Sequence, residues 1–310
     1  MISCTEFIAA YSELFRYLDD KHGRDAVDKF WDYLFEPTGD GIPLINFVLK
    51  EGIRGCYSYW SGTLNEEAAD FTMYLNEKAG WFKIVMHHCP SKGRLLELRD
   101  EIGLEPYRDY CQHCFCYKYS LEKIGLEYIY DFTGEDRASC SILIFDPKVF
   151  NGKIVMDGDT LVMDRKAVDN EYFHPDFHSS LNMGVHYLGE KFGEEAVREY
   201  LTRFTDRVYV KVINDIKNRG LMAICDKIID TYEKERAKDS VCVRLVGDRL
   251  EATVDYCPAV RHLKSTGRRV SPWFVYTTTV VMERLAGVAG KSFRFVSYDE
   301  ETGAAEYVME

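Results

Sequence analysis

Apolar residues at Phe7, Ile8, Tyr11, Leu14, Phe15 and Leu18 recur at helical spacing, and Ser3-Cys-Thr-Glu6 ahead of them has the form of a capping box. Gly23 and Gly193 stand where a glycine ends a helix, and each is followed by a second, shorter helical pattern. A longer helix is predicted over roughly 42–62 and again over 208–235. Two strands around a tight turn follow each time. They are Asp70–Leu75 and Trp81–His87 about Glu77–Gly80, then Val241–Val246 and Leu250–Asp255 about Gly247-Asp248. Cys89-Pro90 and Cys257-Pro258 come next, with proline suited to the first turn of a helix. One further helix leads to a closing hairpin, about 127–133 with 138–146 and about 292–298 with 305–309.

The order of elements is therefore written twice. Tyr17-Leu18 through Ala26-Val27 recurs as Tyr187-Leu188 through Ala196-Val197 at a shift of 170. Gly52 matches Gly220, and Cys89-Pro90 matches Cys257-Pro258, both at a shift of 168; Gly125 meets Gly290 at 165. The expected fold is α+β, with two related halves, each a four-stranded antiparallel sheet with helices, packed as a pseudo-twofold pair. The first repeat is assigned to 1–150, a connecting segment to 151–172, and the second repeat to 173–310. Lys153–Met156 and Leu161–Met163 about Gly158-Asp159 read as a small hairpin within the connection.

Composition narrows the partners. The chain has 310 residues, 46% hydrophobic and 14% aromatic, with a formal net charge of -12. That is a globular composition whose field repels nucleic-acid phosphates and anionic lipid, so neither nucleic acid nor membrane is expected as a partner. The opening residues lack the basic flank and cleavage site of a secretory signal, and a cytoplasmic location is expected. Oligomers are compatible with this composition.

Ten cysteines exceed what a core of this size needs, and without a signal they read as reduced thiols or metal ligands. The densest group is His87-His88-Cys89-Pro90 followed by Cys111-Gln-His113-Cys114-Phe-Cys116. Thiolate and imidazole suit zinc and iron, and Cys-x-x-Cys lets one turn present two sulfurs to one ion. Cys89, Cys111, Cys114, Cys116 and His88 are the candidate metal ligands, with His113 as a ligand or proton carrier. Cys89 has the counterpart Cys257, whereas Cys111, Cys114 and Cys116 align with Tyr276, Thr279 and Val281. The Cys-Pro pair therefore reads as architectural and the other three cysteines as special to the first repeat. Reactive thiols without metal, and plain packing cysteines, are the competing readings.

A second candidate is His174-Pro175-Asp176-Phe177-His178, with Asn182 and His186 beyond it. Pro175 at the first helical position would set His174 and His178 one turn apart on one face, able to share an ion or move protons. The aligned residues in the first repeat are Cys4, Ile8 and Arg16. A helix-start histidine that is only a cap is the bland alternative. The aromatics Tyr57, Tyr59, Trp60, Phe71, Tyr74, Trp81 and Phe82 read as core, and the run Glu233–Asp239 as a solvated helix end. Phosphate-binding glycine loops and a G-x-S-x-G elbow are absent, which leaves nucleotide binding and the usual serine hydrolases without support.

The opening Tyr-Leu-x-x-Lys-x-Gly, the central hairpin, Cys-Pro, the Tyr-Cys-x-x-Cys segment and the closing hairpin together resemble bacterial proteins grouped around L-2-amino-thiazoline-4-carboxylate hydrolase. More remotely they are similar to the small-molecule-binding domains named after 4-vinyl reductase. The resemblance is best over 81–146 and 174–205. It implies an α+β ligand-binding domain with a pocket between helices and sheet and cysteines near its mouth. The expected function is a small-molecule metalloenzyme, a hydrolase cleaving a C–N or C–S bond of a heterocycle with zinc or iron held by the cysteines. The alternative is a non-catalytic small-molecule, metal or redox sensor.

Overall fold

The capping box forms as predicted: Ser3 Oγ accepts from the Thr5 N–H at 3.1 Å, and Glu6 accepts from the Ser3 N–H at 3.1 Å. It opens a short 3₁₀ turn, Cys4–Glu6, that runs directly into α1 (Phe7–His22). The computed structural model describes residues 1–35 and 44–310. They divide into two units. The C-terminal unit comprises Met1–Tyr17, Asp100–Leu104 and Pro175–Glu310, and the central unit comprises Leu18–Arg99 and Glu105–His174.

In the central unit α2 (Arg24–Phe35), α3 (Leu44–Glu51) and α4 (Arg54–Glu66) precede the hairpin β1 (Asp70–Asn76) and β2 (Trp81–His88). After α5 (Pro90–Ile102), a 3₁₀ segment over Tyr110–Phe115 and α6 (Cys116–Glu122) come β3 (Glu127–Gly134), β4 (Ser139–Phe145) and β5 (Leu161–Arg165). The sheet order is β3-β4-β2-β1-β5, antiparallel throughout. Alternation puts Phe71, Met73, Phe82, Ile84, Met86, Tyr128, Ile142 and Ile144 on its buried face, against Trp60 and Leu64 of α4. Trp60 stacks on Phe82 with ring centroids 5.7 Å apart. Each such burial contributes roughly 1.5–3 kcal/mol. Of the aromatics read as core, Trp60, Phe71, Trp81 and Phe82 are buried, Tyr57 and Tyr59 pack against the core half-buried, and Tyr74 lies half-buried on the opposite face of β1.

In the C-terminal unit α7 (Phe177–Phe192), α8 (Glu194–Val208), α9 (Val210–Arg219) and α10 (Leu221–Lys234) precede the hairpin β6 (Val241–Val246) and β7 (Arg249–Val254). Then follow α11 (Pro258–Ser265), α12 (Tyr276–Val288), β8 (Phe293–Tyr298) and β9 (Ala305–Met309). Its sheet order, β6-β7-β9-β8, is the connectivity of β1-β2-β4-β3. The first half of α1 packs here: Phe7 stacks on Phe177 at 4.6 Å, and the Tyr200 hydroxyl donates to the Ala10 carbonyl at 2.8 Å.

The α+β class with two antiparallel sheets is as expected, and four details differ. The sheet of the central unit has five strands, because β5 from the connecting segment joins the free edge of β1. That strand is the only half of the expected hairpin to form among the described residues; 153–156 is not a strand. The two long helices are each broken in two. Gly52 (φ +62°) and Gly220 (φ +58°) take left-handed backbone, which a side chain disfavours and which ends the preceding helix. Residues 42–43 of the first predicted helix lie outside the described residues. Finally, α7 opens at Phe177, so Pro175 sits in the turn before the helix rather than at its first position.

Candidate metal centre

Two residues that sequence reasoning passed over build the tightest polar cluster. Cys4 lies on the turn that the Ser3 capping box creates, and Glu235 is the residue after the last turn of α10. The Cys4 N–H donates to Glu235 Oε1 at 2.5 Å, and His178, the second residue of α7, donates from Nε2 to Glu235 Oε2 at 2.9 Å. All three are buried, with Cys4 and His178 each 1% exposed and Glu235 6%. Burial raises the pKa of Glu235, but the bonds from His178 and Cys4 outweigh it and hold the carboxylate below its usual range. Ligand atoms of Cys4, His178 and Glu235 all lie within 4.8 Å of one another, the only such group of three His, Cys, Asp or Glu side chains among the described residues. His178 Nδ1 is buried with no hydrogen-bond partner among them. Such an orphan costs about 1–3 kcal/mol unless something binds it.

The strand of chain carrying Cys4 is anchored by a second buried group. Glu6 accepts from Lys227 Nζ at 2.5 Å and from the Tyr209 hydroxyl at 2.8 Å, and Lys227 lies over the Tyr209 ring at 4.4 Å. Beside His178, at a ring-centroid distance of 6.4 Å, stands His262 on α11. Its Nε2 donates to Asp176 Oδ1 at 3.3 Å, and Asp176 also accepts from Arg268 and from Ser179 Oγ. Burial raises the pKa of Asp176, yet His262 and Arg268 together hold it down to about 2. In the same unit a small, aromatic-rich cleft of about 20 Å³ is lined by Tyr232, Cys257, Phe274, Phe295, Tyr298 and Tyr307.

The residues singled out from the sequence are placed as follows. His178 is in the cluster above, but His174 is not: its Nδ1 pairs with Glu66 Oε2 at 2.5 Å in the central unit. The two histidines do not share a helix face, because α7 starts after both Pro175 and Asp176. His88 ends β2, exposed, with its ring over Gly93 of α5. Cys89 precedes Pro90, and its sulfur accepts from the N–H groups of Ser91 and Lys92; burial nevertheless pushes its thiol up to about 12.

Cys111 and Cys114 lie on the 3₁₀ segment, and Cys116 is the first residue of α6. His113 Nδ1 donates to the Tyr110 carbonyl at 2.5 Å, which leaves Nε2 as an acceptor 3.6 Å from Cys114 Sγ. Burial pushes the Cys114 thiol up to about 12 and raises Cys111 and Cys116, while burial lowers His113. These are neutral thiols beside a neutral imidazole. Cys140 on β4 joins them, since Cys114, Cys140, Cys111 and Cys89 all lie within electrostatic range of Tyr130. Tyr130 pairs with Ile142, so Cys140 points to the same sheet face.

The predicted ligands Cys89, Cys111, Cys114, Cys116 and His88 thus share a neighbourhood in part, but no three of them come within 4.8 Å of one another. The run Glu233–Asp239, expected to be solvated, hides the buried Glu235 as its third residue. Cys4 carried one signal, its alignment with His174; Glu235 carried none. No helix among the described residues is long and apolar enough to cross a membrane. Comparison with family models, curated proteins and solved structures finds no match to the chain.

Proposed function

We propose that the protein binds a divalent transition metal, zinc or ferrous iron, through Cys4, His178 and Glu235. One observation carries the reading: thiol, imidazole and carboxylate atoms within 4.8 Å of one another in the buried interior. That donor set suits a borderline ion such as zinc. Binding takes the thiol proton, so affinity rises with pH. The near-complete burial of Cys4 and His178 favours a metal kept from bulk water. This is the non-catalytic binding or sensing protein that resemblance to the 4-vinyl-reductase domains implies.

The second reading is a hydrolase acting on a small heterocycle, favoured by the aromatic lining of the small cleft beside Cys257, whose thiol lies within electrostatic range of Glu235. A zinc ion would there supply a bound water with its pKa lowered to about 7. The chain's own part is to hold the ligand set.

Elemental analysis of protein purified without chelator or nickel tests both. About one zinc or iron per chain is expected, lost in Cys4→Ser/His178→Ala and kept in Cys111→Ser/Cys114→Ser. Metal kept in the first variant and lost in the second moves the site to the cysteine-rich segment of the central unit. No metal in the wild type sinks the proposal. Turnover of a heterocycle panel that chelation abolishes would select the hydrolase.

A further inference from the structure

Three protein donors leave a tetrahedral ion one position short. We infer that His262 fills it, closing the site as Cys4–His178–Glu235–His262; the inference rests on the metal reading of the first three. His262 projects from the last turn of α11, and its ring centroid is 6.4 Å from that of His178, with the planes inclined at 54°. Two imidazoles on one tetrahedral ion, with metal–nitrogen bonds of about 2.0–2.1 Å, have centroids about 5 Å apart. The ring nitrogens of His262 lie outside the 4.8 Å group formed by Cys4, His178 and Glu235, so the centroid gap of about 1 Å must close by rotation of its side chain, which is 22% exposed.

The other nitrogen of His262 is already committed in the way a metal-binding histidine requires. Nε2 faces Asp176 Oδ1 at 3.3 Å, and Asp176 is in turn gripped by Arg268 and Ser179. A carboxylate on one ring nitrogen fixes the tautomer and turns the lone pair of the other, Nδ1, toward an ion. The orphaned Nδ1 of His178 is an independent sign that this pocket is built around a group not supplied by the chain. Asp176 is the second residue beyond His174 in the His-Pro-Asp-Phe-His motif, so that motif serves the site through Asp176 and His178 rather than through its first histidine.

Cobalt(II) substitution of the full chain tests this. Wild type is expected to show the intense visible bands of a tetrahedral ion and the charge-transfer band of one thiolate, Cys4. His262→Cys should keep the tetrahedral bands and raise the thiolate band about twofold, since two sulfurs then bind. His262→Ala should lower cobalt affinity by more than about tenfold and weaken the visible bands as water enters. A His262→Cys spectrum identical to wild type, with unchanged affinity in His262→Ala, overturns the inference while leaving the three-ligand site intact. Wild-type cobalt binding that Cys4→Ser/Glu235→Gln does not alter overturns both.

Discussion

Glu67 and Glu235 occupy the same place at the ends of two different helices, yet their charge is held in opposite directions. Each follows the last residue of its helix, α4 or α10, and each precedes a left-handed residue, Ala68 (φ 50°) or Arg236 (φ 54°). In each case the next N–H reaches back five residues, Ala69 to Leu64 at 3.0 Å and Ala237 to Tyr232 at 2.8 Å. Glu235 is kept ionised by His178 and Cys4 against burial, as described. Glu67 is pushed up by burial, which His174, Arg94 and His113 only partly offset.

Glu67 therefore sets a pH dependence. A carboxyl whose folded pKa is raised gives stability that is fully present below its unfolded value, about 4.3. That stability is lost as pH rises through the folded value. Urea unfolding should show a negative slope in this window, at most about 1.4 kcal/mol per pH unit for one group. Glu67→Gln should flatten it. An unchanged slope in the variant removes Glu67 as the source.

His178 and Glu235 should behave as one energetic unit. Removing one partner strands the other in the interior, so His178→Ala is expected to cost about 3–5 kcal/mol in metal-free protein. The double variant His178→Leu/Glu235→Leu should lose clearly less than the sum of the two single leucine variants. A double-mutant cycle by chemical denaturation reads this directly; additivity within about 0.5 kcal/mol would mean no coupling.

The pattern of strands was legible because it is local. Alternating polarity and glycine turns placed all four strands of the C-terminal sheet and both hairpins of the central sheet to within a residue or two. The breaks at Gly52 and Gly220 were not, since a single glycine inside an apolar helical pattern usually stays helical and only its positive φ reveals the end. The cluster of Cys4, His178 and Glu235 was half legible. Imidazole and thiol types drew attention to His178, but Glu235 lies in a charged run that by composition belongs in water. What buries it is a partner far away in the chain, and no window of sequence contains that information.

Thiol labelling under native conditions should rank the cysteines by access. Cys242, exposed on β6, is expected to react first with a maleimide, and Cys56, wholly buried on α4, last. Cys89 and Cys114, held as thiols with pKa values near 12, should react slowly at neutral pH despite partial exposure. Peptide mass spectrometry over a time course gives the order. Early labelling of Cys114 would show a thiolate there and a different charge state for His113.

Two glycines of α4 make a matched pair. A Cβ on Gly55 would stand 2.3 Å from the Phe47 backbone of α3, so Gly55→Ala forces two helices apart. A cost of about 1–3 kcal/mol or more is expected. Gly62 has nothing within 4 Å of its Cβ direction. Gly62→Ala should stabilise by up to about 1 kcal/mol through helix propensity. Thermal melts of the two variants beside wild type would expose an error in either sign.

The C-terminal unit gathers residues 1–17 from one part of the chain and 175–310 from another. Its ligand cluster joins positions 231 apart, Cys4 and Glu235. During synthesis the strand bearing Cys4 must wait, unpartnered, while the whole central unit is made and free to fold. At about 5–20 residues per second that delay lasts on the order of ten seconds or more. A contact of such long separation is also slow to close once both ends exist. The Cys4–Glu235 contact thus forms only after Glu235 has been made, so the docking of residues 1–17 is a late step of folding.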